Sequence, residues 1–115
     1  MKDVVKAFKA IADESRLRIL GMLKGKSLCV CEIAEVLGLA QSTASRHLKI
    51  LEESGLVHRE KDGLWVAYSL PSAPSDSLSA KVLDLVQEML TEDALISRDR
   101  QKAKLVDRNI ICQRP

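Results

Sequence analysis

Ile33-Ala34-Glu35-Val36-Leu37-Gly38-Leu39-Ala40-Gln41-Ser42-Thr43-Ala44-Ser45-Arg46-His47-Leu48-Lys49-Ile50-Leu51 reads as two helices around a tight turn. A short helix, Cys31 to Leu37, buries Ile33, Ala34 and Leu37, and Gly38 stops it. A second helix, Gln41 to Ser54, buries Ala44, Leu48 and Leu51 and stops at Gly55. Its other face carries Gln41, Ser42, Thr43, Ser45, Arg46 and Lys49. Gln and Arg make bidentate contacts to adenine and guanine edges, and Ser and Thr bond phosphates or bases. The helix N-terminus adds free backbone N–H groups for a phosphate. An ordinary amphipathic helix with a solvated polar face would look similar, so the neighbouring segments decide between the two readings.

Downstream, Leu56 to Lys61 and Leu64 to Leu70 flank Asp62-Gly63, a two-residue hairpin signal. Leu64, Val66, Tyr68 and Leu70 share one strand face, with Trp65 on the other. Arg59 and Lys61 beside the tip are placed to reach phosphates. A hairpin directly after a helix–turn–helix is the layout of a winged DNA reader, and it favours DNA over the solvated face. His47 faces DNA or caps the core, and His58 reads as a solvated strand residue.

Upstream, Val4, Phe8, Ile11 and Ala12 predict a helix over residues 2–12, and Leu17, Leu20 and Leu23 predict another ending near Gly25. Beyond Pro71 and Pro74, Ser77 or Ser79 starts a last long helix with Leu78, Val82, Leu85, Val86 and Leu90. The expected fold is mainly α with a β-hairpin wing (α+β), a winged helix–turn–helix in the order α-α-α-α-β-β-α. The first helix and the 78–90 helix carry more apolar surface than one small domain needs, which predicts a homodimer through both. Two recognition helices would then lie about 34 Å apart, matching a palindromic double-stranded operator.

Composition supports this frame. The chain has 115 residues, 46% hydrophobic and 30% charged, the size and make-up of one compact domain. Aromatic content of 3% favours a helical aliphatic core over a sandwich or barrel. No apolar run approaches a membrane span, and charges interrupt the first residues where a signal peptide would be apolar, so the expected location is the cytoplasm. The net charge of +2 divides into −2 for residues 1–97 and +4 for residues 98–115. The expected division is therefore a DNA-binding and dimerisation domain at 1–96 and a basic segment at 97–115, either a continued helix or a flexible tail. No nucleophile–base constellation, paired-carboxylate motif or Gly-rich phosphate loop is present, so no enzyme and no organic cofactor are expected.

Three cysteines, Cys29, Cys31 and Cys112, are too few and too odd for a disulfide scaffold. They are core residues, reactive thiols or ligands for a soft ion. On a regular helix Cys29 and Cys31 would point about 200° apart. At a helix entrance, however, Cys29 can leave helical geometry and turn towards Cys31.

The segments Phe8-Lys9-Ala10-Ile11-Ala12-Asp13-Glu14-Ser15-Arg16-Leu17-Arg18-Ile19-Leu20, Leu28-Cys29-Val30-Cys31-Glu32-Ile33, Gln41-Ser42-Thr43-Ala44-Ser45-Arg46-His47-Leu48 and Asp62-Gly63-Leu64-Trp65-Val66-Ala67-Tyr68 together resemble the ArsR/SmtB family of winged-helix metalloregulatory repressors. Leu28-Cys29-Val30-Cys31 is similar to the arsenic-responsive branch. The resemblance implies a homodimeric repressor that leaves its operator when trivalent arsenic (arsenite) or antimony binds Cys29 and Cys31. Some arsenic repressors carry a third Cys where this chain has Ala34. Cys112 then either completes a three-sulfur site or is a tail thiol. Cadmium or lead sensing, or thiol redox sensing, are the alternatives on the same fold.

Overall fold

In the computed structural model, residues 1–106 are described; Cys112 and the Ile110-Ile111 cluster lie outside them. The elements are α1 (Lys2–Ile11), α2 (Glu14–Met22), β1 (Ser27–Cys29), α3 (Val30–Leu37), α4 (Gln41–Glu53), β2 (His58–Asp62), β3 (Trp65–Ser69), α5 (Leu78–Leu90) and α6 (Ala94–Leu105). The winged helix–turn–helix is present, but the expected order lacked two elements, β1 and α6. Three residues of Ser27-Leu28-Cys29 are too short for strand alternation to show in the sequence. They become a strand because β3 offers an edge to pair with.

Caps set the helix starts. Asp13 accepts the backbone N–H of Arg16 at 3.0 Å to open α2, and Ser77 accepts that of Ala80 at 3.2 Å to open α5. Asp93 accepts from Leu95 and Ile96, starting α6 afresh after α5 ends. Gly38 ends α3 at φ +71°, with its N–H and that of Leu39 both donating to the Ala34 carbonyl. That reversal leaves only three residues between the helices of the DNA-reading pair.

One core joins all six helices: Ala7, Ala10, Ile19, Leu20, Leu23, Ile33, Val36, Leu48, Leu51, Leu56, Val82, Val86 and Ala103 are among its buried members. The basic segment expected from residue 97 begins inside α6, where Ile96, Asp99 and Ala103 are buried. Asp99 is fully buried and receives a bidentate pair of bonds from Arg18 of α2, at 2.9 and 3.0 Å. That bond raises the Arg18 pKa against the opposing effect of burial. A Cβ on Gly21 would lie 2.8 Å from Ile96, so glycine is what lets α2 and α6 approach. Arg100 donates to the Gly21 carbonyl and Lys102 to the Val36 carbonyl at the end of α3. The charge surplus read as a tail is thus partly spent holding α6 on the body.

The sheet order is β1-β3-β2, antiparallel throughout. Asp62 pairs with Trp65, so the loop is Gly63-Leu64, one residue later than expected. Gly63 has φ +64° and no non-glycine residue has positive φ among the described residues, the pattern of a turn with glycine at its first central position. Val66 and Tyr68 share one face of β3 and Trp65 lies on the other, as the alternation predicts. Leu64 and Val66 are exposed, whereas Ala67 is buried and Trp65 half-buried. β3 is central, and its β1 neighbour carries Cys29, so the Trp65–Ala67 face turns inward. Tyr68 and Leu70 pack partly against the main core.

Candidate nucleic-acid interface and thiol site

Helix α4 buries Ala44, Leu48 and Leu51 and exposes Gln41, Ser42, Ser45, Arg46 and Lys49. Thr43 is half-buried on the same first turn. Its N-cap is Ala40, which has no side-chain acceptor, so no side chain covers the start of this helix. On the wing, Lys61 is exposed, and Arg59 sits 3.6 Å from Glu52. An exposed pair of this kind is worth little and yields readily to a phosphate.

His47 is placed differently from the rest of the face. Only 18% of its side chain is exposed, and Nδ1 lies 3.2 Å from Arg16 Nη1 and 3.9 Å from Asp13 Oδ2. Arg16 also donates to the carbonyls of Ala10 and Lys9, closing the C-terminal end of α1. This α1–α2–α4 junction was not anticipated. Its one sequence signal is an arginine three residues after a helix-capping aspartate.

The two nearby cysteines lie at the start of α3. Cys29 is its N-cap, extended at φ −85° and ψ 167°, and Cys31 is in the first turn. The broken helical geometry lets the sulfurs meet at 3.1 Å. Both are buried. Glu32 accepts the Cys29 N–H at 2.9 Å, while the Cys29 sulfur accepts the Glu32 N–H, a capping box with sulfur in place of a hydroxyl. Burial pushes the Cys29 thiol up, the Glu32 N–H bond pulls it down and the Glu32 carboxylate pushes it up again. A cavity of about 240 Å³, lined by Cys31, Ala34, Glu35, Gly38, Leu39 and Gln41, adjoins the site and touches the first residue of α4. Among the described residues, no three His, Cys, Asp or Glu side chains form a cluster able to hold a metal.

The model of the bacterial regulatory protein arsR family matches residues 13–59, which span the sulfur pair and the reading helix. The chain is 41% identical over 92 residues to the arsenic resistance transcriptional regulator ArsR1 of Pseudomonas putida, covering 76% of this chain and 72% of that one. The chain belongs to the ArsR family. A Staphylococcus aureus relative named a cadmium resistance transcriptional regulatory protein CadC homolog is 41% identical over 69 residues, 59% of this chain and 57% of the relative. Among solved structures, the homodimeric winged helix–turn–helix DNA-binding domain of a possible ArsR-family regulator from Mycobacterium bovis superposes with a TM-score of 0.65 at 33% identity. That match covers 79% of this chain and 81% of that one.

This ArsR-family chain is a DNA-binding transcriptional repressor and not an enzyme. Among its described residues, no helix is long and apolar enough to cross a membrane. Apolar side chains remain exposed on α1 (Val4, Val5, Phe8) and on α5 (Leu85, Met89). The helix expected to be last is α5, and α6 follows it.

Proposed function

We propose that this repressor acts in the cytoplasm and releases a palindromic operator when trivalent arsenic or antimony is captured by Cys29 and Cys31. The observation that carries the reading is the 3.1 Å separation of two buried sulfurs at the entrance of the helix–turn–helix. Two thiolates brought together this way could share one soft, thiophilic ion, with Cys112 as the candidate third sulfur.

Cys31 is disulfide-bonded in this structure, so capture first needs that bond reduced by a thiol reductant such as glutathione. With both cysteines reduced, each sulfur–arsenic bond forms as an arsenic–hydroxyl bond breaks, and the thiol proton leaves with the hydroxide as water. The physical route to release runs through the cap. The Cys29 sulfur that would bind the ligand already accepts the Glu32 N–H, so ligand and helix cap compete for the same lone pairs. Loss of the cap loosens the first turn of α3, which packs on α4. Gln41, Ser42, Thr43, Ser45, Arg46 and Lys49 read and clamp the DNA, with Arg59 and Lys61 on flanking phosphates; His47, held against Arg16, caps the junction beneath them instead. A second copy pairs through α1 and α5.

The test is operator release by arsenite for the parent and for Cys29→Ser, Cys31→Ser and Cys112→Ser. Cys29→Ser and Cys31→Ser are expected to bind operator and to stay bound at arsenite concentrations that free the parent. Release of either at parental concentrations would place the inducer elsewhere. Parental behaviour of Cys112→Ser identifies a two-sulfur site, and its failure to release identifies a three-sulfur one. The relative named for cadmium resistance makes cadmium the second candidate at the same thiols. Release by peroxide without metalloid would favour redox sensing.

A further inference from the structure

The register of the sheet makes a connection that the proposed sensing route does not use. Cys29 pairs with Ala67, and the two strands run antiparallel. Continuing that ladder by two residues sets Trp65 opposite position 31, where β1 has already turned into α3. Trp65 accordingly packs, half-buried, against the cluster formed by Cys29 and Cys31, apart from the main core. On its other side Trp65 pairs with Asp62 and is separated from it only by the loop Gly63-Leu64. One indole thus packs against the cysteine pair and belongs to the closing pair of the wing.

We propose that Trp65 is a positioning residue that couples the sulfur pair to the wing, so that inducer capture shifts the hairpin carrying Arg59 and Lys61 as well as the reading helix. The inference rests on the sulfur pair being the inducer site. The large side chain fills the space beside the sulfurs. A third atom seated on them displaces either the sulfurs or the indole, and close packing passes that displacement on. β2 has no buried residue, and among its described contacts it is held by its β3 ladder and the exposed Arg59–Glu52 pair. Two outputs from one input would lower the chance that the wing holds the DNA after the reading helix lets go.

Trp65 is the only tryptophan in the chain, so all indole emission comes from this position. The experiment combines three measurements on the full chain titrated with arsenite: equilibrium dialysis for uptake, Trp65 emission, and operator release. In the parent, emission is expected to change in step with uptake, and hydrogen exchange across residues 58–69 to change with it. Trp65→Ala is expected to take up arsenite yet need at least fivefold more for half-release, with Trp65→Phe restoring most of the response. Uptake with static emission and unchanged exchange in the wing would overturn the coupling and leave the sulfur site standing. So would release of Trp65→Ala at parental concentrations. Absence of uptake by Cys29 and Cys31 would overturn the site and the coupling together. If Trp65→Ala does not fold, the emission and exchange of the parent decide.

Discussion

The reading face of α4 and the sulfur pair at the start of α3 lie on adjacent helices joined by three residues, yet they are built in opposite ways. On α4, Gln41, Ser42, Ser45, Arg46 and Lys49 stand in solvent, and the helix start has no side-chain cap. At α3, Cys29 and Cys31 are buried, in contact with one another, and bound into a cap with Glu32. A surface meant for DNA is served by donors that water can leave cheaply, spread over many side chains. A site meant to sense a scarce ion is served by few atoms whose existing bonds the ligand must replace. The shared core between them, with Ile33 on one side and Leu48 on the other, is what ties the second event to the first.

The largest effect should come from breaking what the two regions share. Leu48→Ala removes a fully buried side chain from beneath the reading face and should cost about 2–5 kcal/mol in urea unfolding. Operator binding and thiol protection should be lost in the same transition. Separate transitions would mean that the two regions do not share one cooperative core.

A change confined to the exposed face should be smaller and should leave stability alone. Arg46→Ala is expected to weaken operator binding by roughly 1–3 kcal/mol if it reads a base. If it meets a phosphate, the salt slope should instead fall by about one. Unchanged affinity and unchanged salt slope would remove Arg46 from the interface.

The smallest expected effect is none. Arsenite affinity should be flat with pH through the neutral range, because each thiol proton leaves as water with a displaced hydroxide. Only the rate of capture should rise with pH, since burial raises the Cys29 pKa and the thiolate is the attacking form. A divalent cation such as cadmium releases those protons to solvent, so its affinity should climb roughly tenfold per pH unit for each proton released. Isothermal titrations at several pH values separate the two, and a steep arsenite dependence would contradict the ligand-exchange chemistry.

Local pattern was enough for the helices of the reading unit, the buried set Ala44, Leu48 and Leu51 and the presence of a hairpin, and it narrowed the start of α5 to Ser77 or Ser79, of which Ser77 is the cap. Each is set by spacing within one element or by a capping or turn residue beside it. The placement of Cys29 outside helical geometry was legible too, because two thiols one residue apart cannot meet on a regular helix. How deeply each hairpin residue sits was not: Leu64 and Val66 end exposed, while the pairing of β3 with β1 buries Ala67.

What the amino-acid order determined alone was therefore the kind of protein: a winged helix–turn–helix with a polar reading face and two thiols at its entrance. Tertiary structure decided which residues act at a distance. Arg18 meets Asp99 across 81 positions, Arg16 meets His47 across 31, and Trp65 reaches the cysteine pair through a strand register. None of these pairs leaves a periodic trace, because each follows from how whole elements dock. The basic surplus near the C-terminus shows the same limit: in sequence it is a charged segment, and only packing turns Arg100 and Lys102 into the bonds that hold α6 against α2 and α3.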